Sequence, residues 1–275
     1  MTMFDRGIEI KTPGQIESMR AAGLVVGQTL ELLRGSAVAG VTTGDLDGIA
    51  RDHIRSCGAT SNFLGYHGFR GVICTSVNDE VVHGIPGKRV LRDGDVISID
   101  CGAIIDGWHG DAATSVAIGQ VPDDVTELMR VTEQALWRGI AAAALGGRVS
   151  DISHAVETTV DAAGDYGIVE GYTGHGIGSA MHQPPNVANY GRPGRGPKLV
   201  KGLVLAVEPM VSLGTAQTRT LSDDWTVVTT DGSRAAHYEH TFTLTDTGTW
   251  VLTALDGGES MLAELGVPYG GPSGA

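Results

Sequence analysis

Two stretches of this 275-residue chain, 108 positions apart, follow one pattern, and each ends on an acid. Gly94-Asp95-Val96-Ile97-Ser98-Ile99-Asp100 aligns with Gly202-Leu203-Val204-Leu205-Ala206-Val207-Glu208, apolar on apolar, so that Asp100 falls on Glu208. Short apolar runs of this kind predict buried strands. A packed core has no use for an unpaired carboxylate, because burying one is costly unless a cation or hydrogen bonds compensate. The pair therefore predicts two related halves, each delivering a carboxylate to a shared site.

The helical pattern repeats at nearly the same offset. Thr12-Pro13-Gly14-Gln15 supplies an N-cap, a proline in the first turn and a capping-box glutamine. Ile16, Met19, Gly23, Val26, Leu30 and Leu33 then mark one helical face, up to Gly35. A second helix is expected from Thr43 to Cys57, closed by Gly58, and strands at Val72–Val77, Val81–Val82 and Asp95–Asp100. In the second half, Pro122-Asp123-Asp124 opens a helix to Leu145, and Ser150-Asp151 opens another to Ala163, closed by Gly164. Leu46, Ile49, Ala50, Ile54 and Cys57 match Ile152, Ala155, Val156, Val160 and Ala163 at an offset of 106. A near-constant offset across several elements signals duplication. With two copies it predicts a closed, pseudo-twofold α/β domain rather than a solenoid. The expected organisation is an N-terminal segment over 1–11 and one domain over 12–256, with halves at about 12–120 and 121–256. A flexible Gly- and Pro-rich tail over 257–275 completes it.

Composition narrows the function classes. With 41% hydrophobic residues and no apolar run near the roughly 20 residues of a membrane span, the chain reads as soluble. Met1–Glu17 has no apolar signal-peptide core, and Cys57, Cys74 and Cys101 form no framework, which fits the reducing cytoplasm. A net charge of −13 argues against DNA as a partner. Arg192, Arg195, Lys198 and Lys201 run against that trend; a solvated loop is expected there, with an anionic partner as the alternative.

Asp106-Gly107 is a two-residue hairpin signal. Ile105 then faces Trp108 and Gly102 faces Asp111, so Asp100 and Asp111 become diagonal neighbours on one face. Carboxylates that close repel unless a cation lies between them. Cys101 points to the opposite face and is expected to be buried. A second hairpin is expected over Thr226–Thr245, turning at Asp231-Gly232, with His237 and Glu239 on one face of its return strand. Between the acids lies Thr173-Gly174-His175-Gly176-Ile177-Gly178-Ser179-Ala180-Met181-His182, whose glycines permit close backbone approach. Asp100, Asp111, His175, Glu208 and Glu239 offer one nitrogen and many oxygens. Four carboxylates exceed what a single divalent ion neutralises, so two ions sharing bridging carboxylates fit better. The donor set suits Mn²⁺, Fe²⁺ or Co²⁺ more than a structural zinc.

Five segments together resemble type I methionine aminopeptidase: Ser76-Val77-Asn78-Asp79-Glu80-Val81-Val82-His83-Gly84-Ile85-Pro86, the Asp100/Asp111 hairpin, Thr173–Gly178, Glu208-Pro209-Met210 and Tyr238-Glu239-His240-Thr241. The resemblance runs in order from about Thr12 to Thr253. It implies the pita-bread fold, in which a pseudo-twofold antiparallel sheet is covered by helices and the site lies between the halves. It implies removal of the initiator methionine from nascent chains when the second residue is small. It further implies that Asp100, Asp111, His175, Glu208 and Glu239 hold two metal ions, Asp111 and Glu239 bridging. Glu208 would take a proton from the attacking water and pass it to the leaving amine. His83 and His182 match the histidines that contact the scissile amide or its carbonyl. Tyr66, Phe69, Cys74 and Trp225 match the methionine pocket, with Phe63 and Met181 at variable positions.

The chain departs from bacterial relatives at His237, where they often carry Gln, and at Met181, where they often carry Phe. The loop Gly214–Thr220 holds a single basic residue, Arg219, so a ribosome contact there lacks support, and residues 191–201 are the remaining candidate. A monomer is expected. Proline-specific relatives usually carry a domain before the catalytic one. Type II methionine aminopeptidases carry a helical insert between acids that here are only 31 residues apart, Glu208 and Glu239.

Overall fold

Residues 7–272 of the chain are described in a computed structural model. The first helix, α1 (Pro13–Ser36), starts where the capping chemistry places it: the Thr12 hydroxyl accepts from the Gln15 amide at 3.4 Å, and the Gln15 side chain accepts from the Thr12 amide at 2.8 Å. All six expected face positions, Ile16 to Leu33, are buried. Next come α2 (Thr43–Ser56), α3 (Asp123–Ala142) and α4 (Val149–Ala163); α3 stops short of the expected Leu145.

Each helix pair covers an antiparallel sheet whose central strand carries Asp100 or leads directly into Glu208. In the first half Val96–Ile105 is the central strand, flanked by Trp108–Ala117 on one side and by Thr60–Ser61 and Ile73–Val77 on the other. In the second half the order is Thr249–Val251, His240–Leu244, Val204–Val207, Gly174–Gly176, Gln183–Val187, again with the acid's strand central. Each half has its own core. Leu33, Leu46, Ile97, Ile99 and Cys101 are buried together in the first. Leu128, Leu136, Val156, Leu205 and Phe242 are buried together in the second. Cys101 thus lies where strand alternation sends it. Glu80–Val82 of the first half pairs with Val227–Thr229 of the second, stitching the two together. Among the described residues no helix is long and apolar enough to cross a membrane.

The first hairpin has the expected register, Gly102 opposite Asp111 and Ile105 opposite Trp108. Its turn places Asp106 at φ 49° and Gly107 at φ 79°, the left-handed pair that matches strand twist. The second expected hairpin does not form. Asp231 instead accepts from the Ser233 amide at 2.9 Å and from the Thr215 amide at 2.9 Å, folding the segment into a local loop. Val227–Thr229 pairs with Thr218–Thr220, and Ala235–His237 pairs with Met210–Ser212. The return segment also breaks after His237, so Glu239 sits outside a strand, bridged to Ala113 of the first half.

The C-terminal segment departs from expectation as well. From Gly257 to Pro272 the chain is packed rather than frayed. A short helix, α5 (Glu259–Glu264), buries Leu262 completely in the second core. Thr249 donates to the Pro268 carbonyl at 2.9 Å and accepts from the Gly270 amide at 2.7 Å. The glycines there make tight turns, with Gly257, Gly258 and Gly266 at positive φ, while Leu262, Leu265 and Val267 supply apolar contact. Residues 7–11 also pack: the Lys11 amide donates to Gly202 at 2.8 Å, beside the second central strand.

Candidate metal centre and substrate cavity

The hairpin brings Asp100 and Asp111 to one face, and Asp111 is 3% exposed. Across from them, the Ala113 and Glu239 backbones exchange hydrogen bonds of 3.3 and 2.9 Å. The Thr241 hydroxyl donates to the Asp111 carbonyl at 2.8 Å, so the segment Glu239–Thr241 is tied to the first half at both ends. Glu208 follows Val204–Val207, and the buried Asn189 amide holds its backbone carbonyl at 3.0 Å. His175 lies in Gly174–Gly176, where a Cβ on either glycine would collide with the Ala206 or Pro184 carbonyl. The Nδ1 of His175 is 3.0 Å from the Gly176 carbonyl, which can only accept. That contact puts the proton on Nδ1 and leaves a lone pair on Nε2, 3.5 Å from Glu208 Oε1.

Burial raises all four carboxyl groups. Asp100 is pushed up to about 7 by burial. For Asp111, Glu208 and Glu239 burial acts first, and repulsion among the acids adds to it. Burial presses His175 down to about 3, so its imidazole is neutral and its contact with Glu208 is no ion pair in the absence of a cation. Asp100 Oδ1, Asp111 Oδ1 and Glu239 Oε1 are buried with no hydrogen-bond partner among the described residues. Buried polar atoms are normally satisfied. Three orphaned carboxylate oxygens beside a neutral imidazole fit divalent cations as the missing partner. Ligand atoms of Asp111, His175 and Glu239 lie within 4.8 Å of one another. Asp100 and Glu208 stand outside that tight trio but face the same cavity. His237, also buried, places Nε2 3.8 Å from Glu208 Oε2, the carboxylate oxygen other than the one nearest His175.

A cavity of about 110 Å³ opens from these acids. Its lining includes all eleven expected site residues: Asp100, Asp111, His175, Glu208 and Glu239, the histidines His83 and His182, and Tyr66, Phe69, Cys74 and Trp225, with Phe63 and Met181 beside them. Phe69 meets Trp225 edge-on at 5.0 Å and Phe63 at 6.5 Å, forming an apolar wall. Burial, with help from Asp100, pushes the Cys74 thiol up, so it behaves as an apolar wall atom. His83 has φ 61°, an unusual backbone for a non-glycine residue, and burial lowers it to about 4. It packs against Tyr172 at 5.6 Å. The ring of His182 is 4.4 Å from that of His175. Sequence reading missed Asn189, Tyr172 and a network in which Glu9, Lys11 and Gln183 hold Ser179. These residues sit in no repeat and no periodic pattern, though Tyr172 and Gln183 flank the segment Thr173–His182 and Lys11 precedes the cap at Thr12.

The sequence matches metallopeptidase family M24 over residues 17–246. A methionine aminopeptidase of Clostridium acetobutylicum is 53% identical over 247 residues, covering 90% of this chain and 98% of the relative. Methionine aminopeptidase 1 of Mycobacterium tuberculosis is 50% identical over 254 residues, covering 90% and 96%. The crystal structure of methionine aminopeptidase from Thermotoga maritima superposes with a TM-score of 0.88 at 41% identity, covering 90% of this chain and 99% of that one. With the fold, the acid-rich centre and these likenesses in agreement, the chain belongs to metallopeptidase family M24 and, within it, to the methionine aminopeptidases.

Proposed function

We propose that this protein removes the N-terminal methionine from nascent polypeptides whose second residue is small. The observation that carries the reading is the junction of two environments in one cavity: four carboxylates, with Asp111 and Glu239 buried and Asp100 and Glu208 half-buried, beside a neutral imidazole, and an apolar wall lined by sulfur and aromatic rings. Methionine is unbranched and polarisable, and favourable contacts with aromatic rings suit it to such a wall.

Asp100, Asp111, His175, Glu208 and Glu239 would hold two divalent ions. When bound, such ions activate water and polarise the scissile carbonyl. The chain's own residues do the rest. Glu208 takes the proton of the attacking water and returns it to the leaving amine. His83 and His182 contact the scissile amide and its carbonyl oxygen, and burial keeps His83 neutral so that it can donate without carrying charge. Phe69, Cys74, Trp225 and the ring of Tyr66 enclose the methionine side chain. The oxygen-rich donor set favours Mn²⁺, Fe²⁺ or Co²⁺. The proposed setting is the cytoplasm, with the ribosome as the source of substrate; Arg192, Arg195 and Lys198, all exposed, are the candidate contact.

The test is hydrolysis of Met-Ala-Ser and Ala-Pro-Ser by metal-stripped protein, with each ion added back. Metal-dependent release of methionine is expected. Glu208→Gln should lower kcat by at least about 10²-fold while the protein stays folded. Failure of folded, metal-loaded protein to cleave either peptide, or cleavage only before proline, would overturn the reading.

A further inference from the structure

His182 stands at the mouth of the cavity, and its Nδ1 lies 3.0 Å from the Tyr66 hydroxyl. The two rings also meet edge to face, their centroids 5.6 Å apart. The partners are 116 positions apart in sequence, so the contact exists only because the fold holds two loops against each other.

Hydrogen bonds define the shape of both loops. Tyr66 begins a single tight turn over Tyr66–Gly68, with Gly65 at φ 86° before it and Gly68 at φ 90° within it. The Gly65 amide donates to Phe69 and the Phe69 amide donates to Tyr66, each at 2.9 Å. Within the turn His67 takes φ 45°, a costly backbone for a non-glycine residue that persists only where its surroundings enforce it. Its ring packs on Tyr66 at 4.4 Å. On the other side, Glu9 accepts from the Ser179 amide at 3.0 Å and from its hydroxyl at 2.8 Å. The buried Lys11 ammonium donates to Gln183 at 3.3 Å, immediately after His182.

A neutral imidazole has one N–H, and its position is set by what the other nitrogen faces. The Tyr66 hydroxyl has no other partner among the described residues, so its proton is available to Nδ1. A carbonyl oxygen only accepts, so a His182 that contacts it must carry its proton on Nε2. We propose that Tyr66 is a positioning residue: its hydroxyl donates to Nδ1 of His182, fixes the tautomer protonated at Nε2, and so presents a donor to the scissile carbonyl oxygen. The inference rests on the reading of His182 given above. It divides Tyr66 into two working parts, a ring that lines the methionine pocket and a hydroxyl that acts through His182.

Tyr66→Phe separates the parts, because it keeps the ring and removes only the hydroxyl. With Met-Ala-Ser, kcat should fall about tenfold with KM within about twofold, the mark of an interaction made in the transition state. Adding Tyr66→Phe to His182→Ala should change kcat no further, since the hydroxyl acts through that imidazole. ¹⁵N NMR of the histidine rings in Zn²⁺-loaded protein gives a readout independent of turnover. It should show His182 protonated at Nε2 in the wild type and a mixture of tautomers in Tyr66→Phe. Protonation at Nδ1 in the wild type, or an unchanged tautomer and kcat in Tyr66→Phe, overturns the proposal, as does a rise in KM alone, which leaves Tyr66 a wall residue only. A wild type that cleaves no methionine peptide would sink the functional reading, while the NMR experiment would still decide the Tyr66–His182 hydrogen bond.

Discussion

With no cation beside it, Asp100 keeps its proton at a pH where an exposed aspartate has long lost it. Burial raises it from 3.8 to about 7, and Asp111, Glu208 and Glu239 are raised with it. For a carboxyl raised in the folded state, the stabilising contribution is complete below the unfolded pKa and is lost as pH climbs through the folded one. Without metal, the protein should therefore lose stability as pH rises from about 4 to beyond about 7, opposite to the trend of a salt-bridged aspartate. Divalent ions require the deprotonated ligands, so their binding should flatten this slope and release protons. Calorimetry of EDTA-treated and Mn²⁺-loaded protein across that range checks both points. A Tm that stays level or rises with pH in EDTA would show that these acids are not protonated in the metal-free fold. Glu9 works in a separate window. Hydrogen bonds from Ser179 and Gln183, with Lys11 nearby, outweigh its partial burial and hold it down to about 2. Its contribution is present above about 4.5 and is lost only in acid.

Among the elements, the short strand Gly174–Gly176 carries the one nitrogen of the proposed centre, and its glycines explain how. Strands on both sides come so close that a methyl group at Gly174 or Gly176 would meet a neighbouring carbonyl. Gly176→Ala should push Gln183–Val187 away from His175, costing about 1–3 kcal/mol as overpacking does. It should also weaken metal binding by about 10–100-fold, as misplacing a ligand does. Calorimetric titration with Mn²⁺ and a melting curve test this; wild-type affinity together with wild-type Tm would refute it. The same scale shows what the sequence could and could not reveal. Asp106-Gly107 was readable because the turn's own backbone decides it. Asp231-Gly232 carries the same dipeptide and misled, because the Asp231 carboxylate closes a local loop and both flanking strands find partners elsewhere. Propensity cannot register that competition. Likewise the eleven residues expected at the site, which the fold gathers around one cavity, could be named from motifs in order, whereas Asn189 behind Glu208 and the Glu9–Lys11 network are contacts between distant segments with no periodic signature.

The molecule as a whole is closed by its two ends. Arg20 of α1 donates to the carbonyls of Leu252, Ala254 and Leu255 at 2.7, 2.5 and 2.8 Å, joining the first helix to the last strand's exit. Immediately beyond, α5 turns back and buries Leu262 among the side chains of the second core, outside the lining of the acid-bearing cavity. A Gly- and Pro-rich composition signals turns, and here the turns aim apolar residues inward, which composition alone does not disclose. Leu262→Ala should then cost about 2–5 kcal/mol, the range for emptying a buried leucine site. In a chain of this size that lowers Tm by roughly 4–20 °C. Because Leu262 touches the core and not the cavity, the protein that remains folded at 25 °C should bind Mn²⁺ as the wild type does, while urea unfolds it at lower concentration with the same slope. Ending the chain after Asp256 should lower stability further, since it also strips Thr249 of both its backbone partners, Pro268 and Gly270. A solvated tail would leave melting and urea midpoints at wild-type values in both variants, and that result would return residues 257–272 to the status of a frayed end.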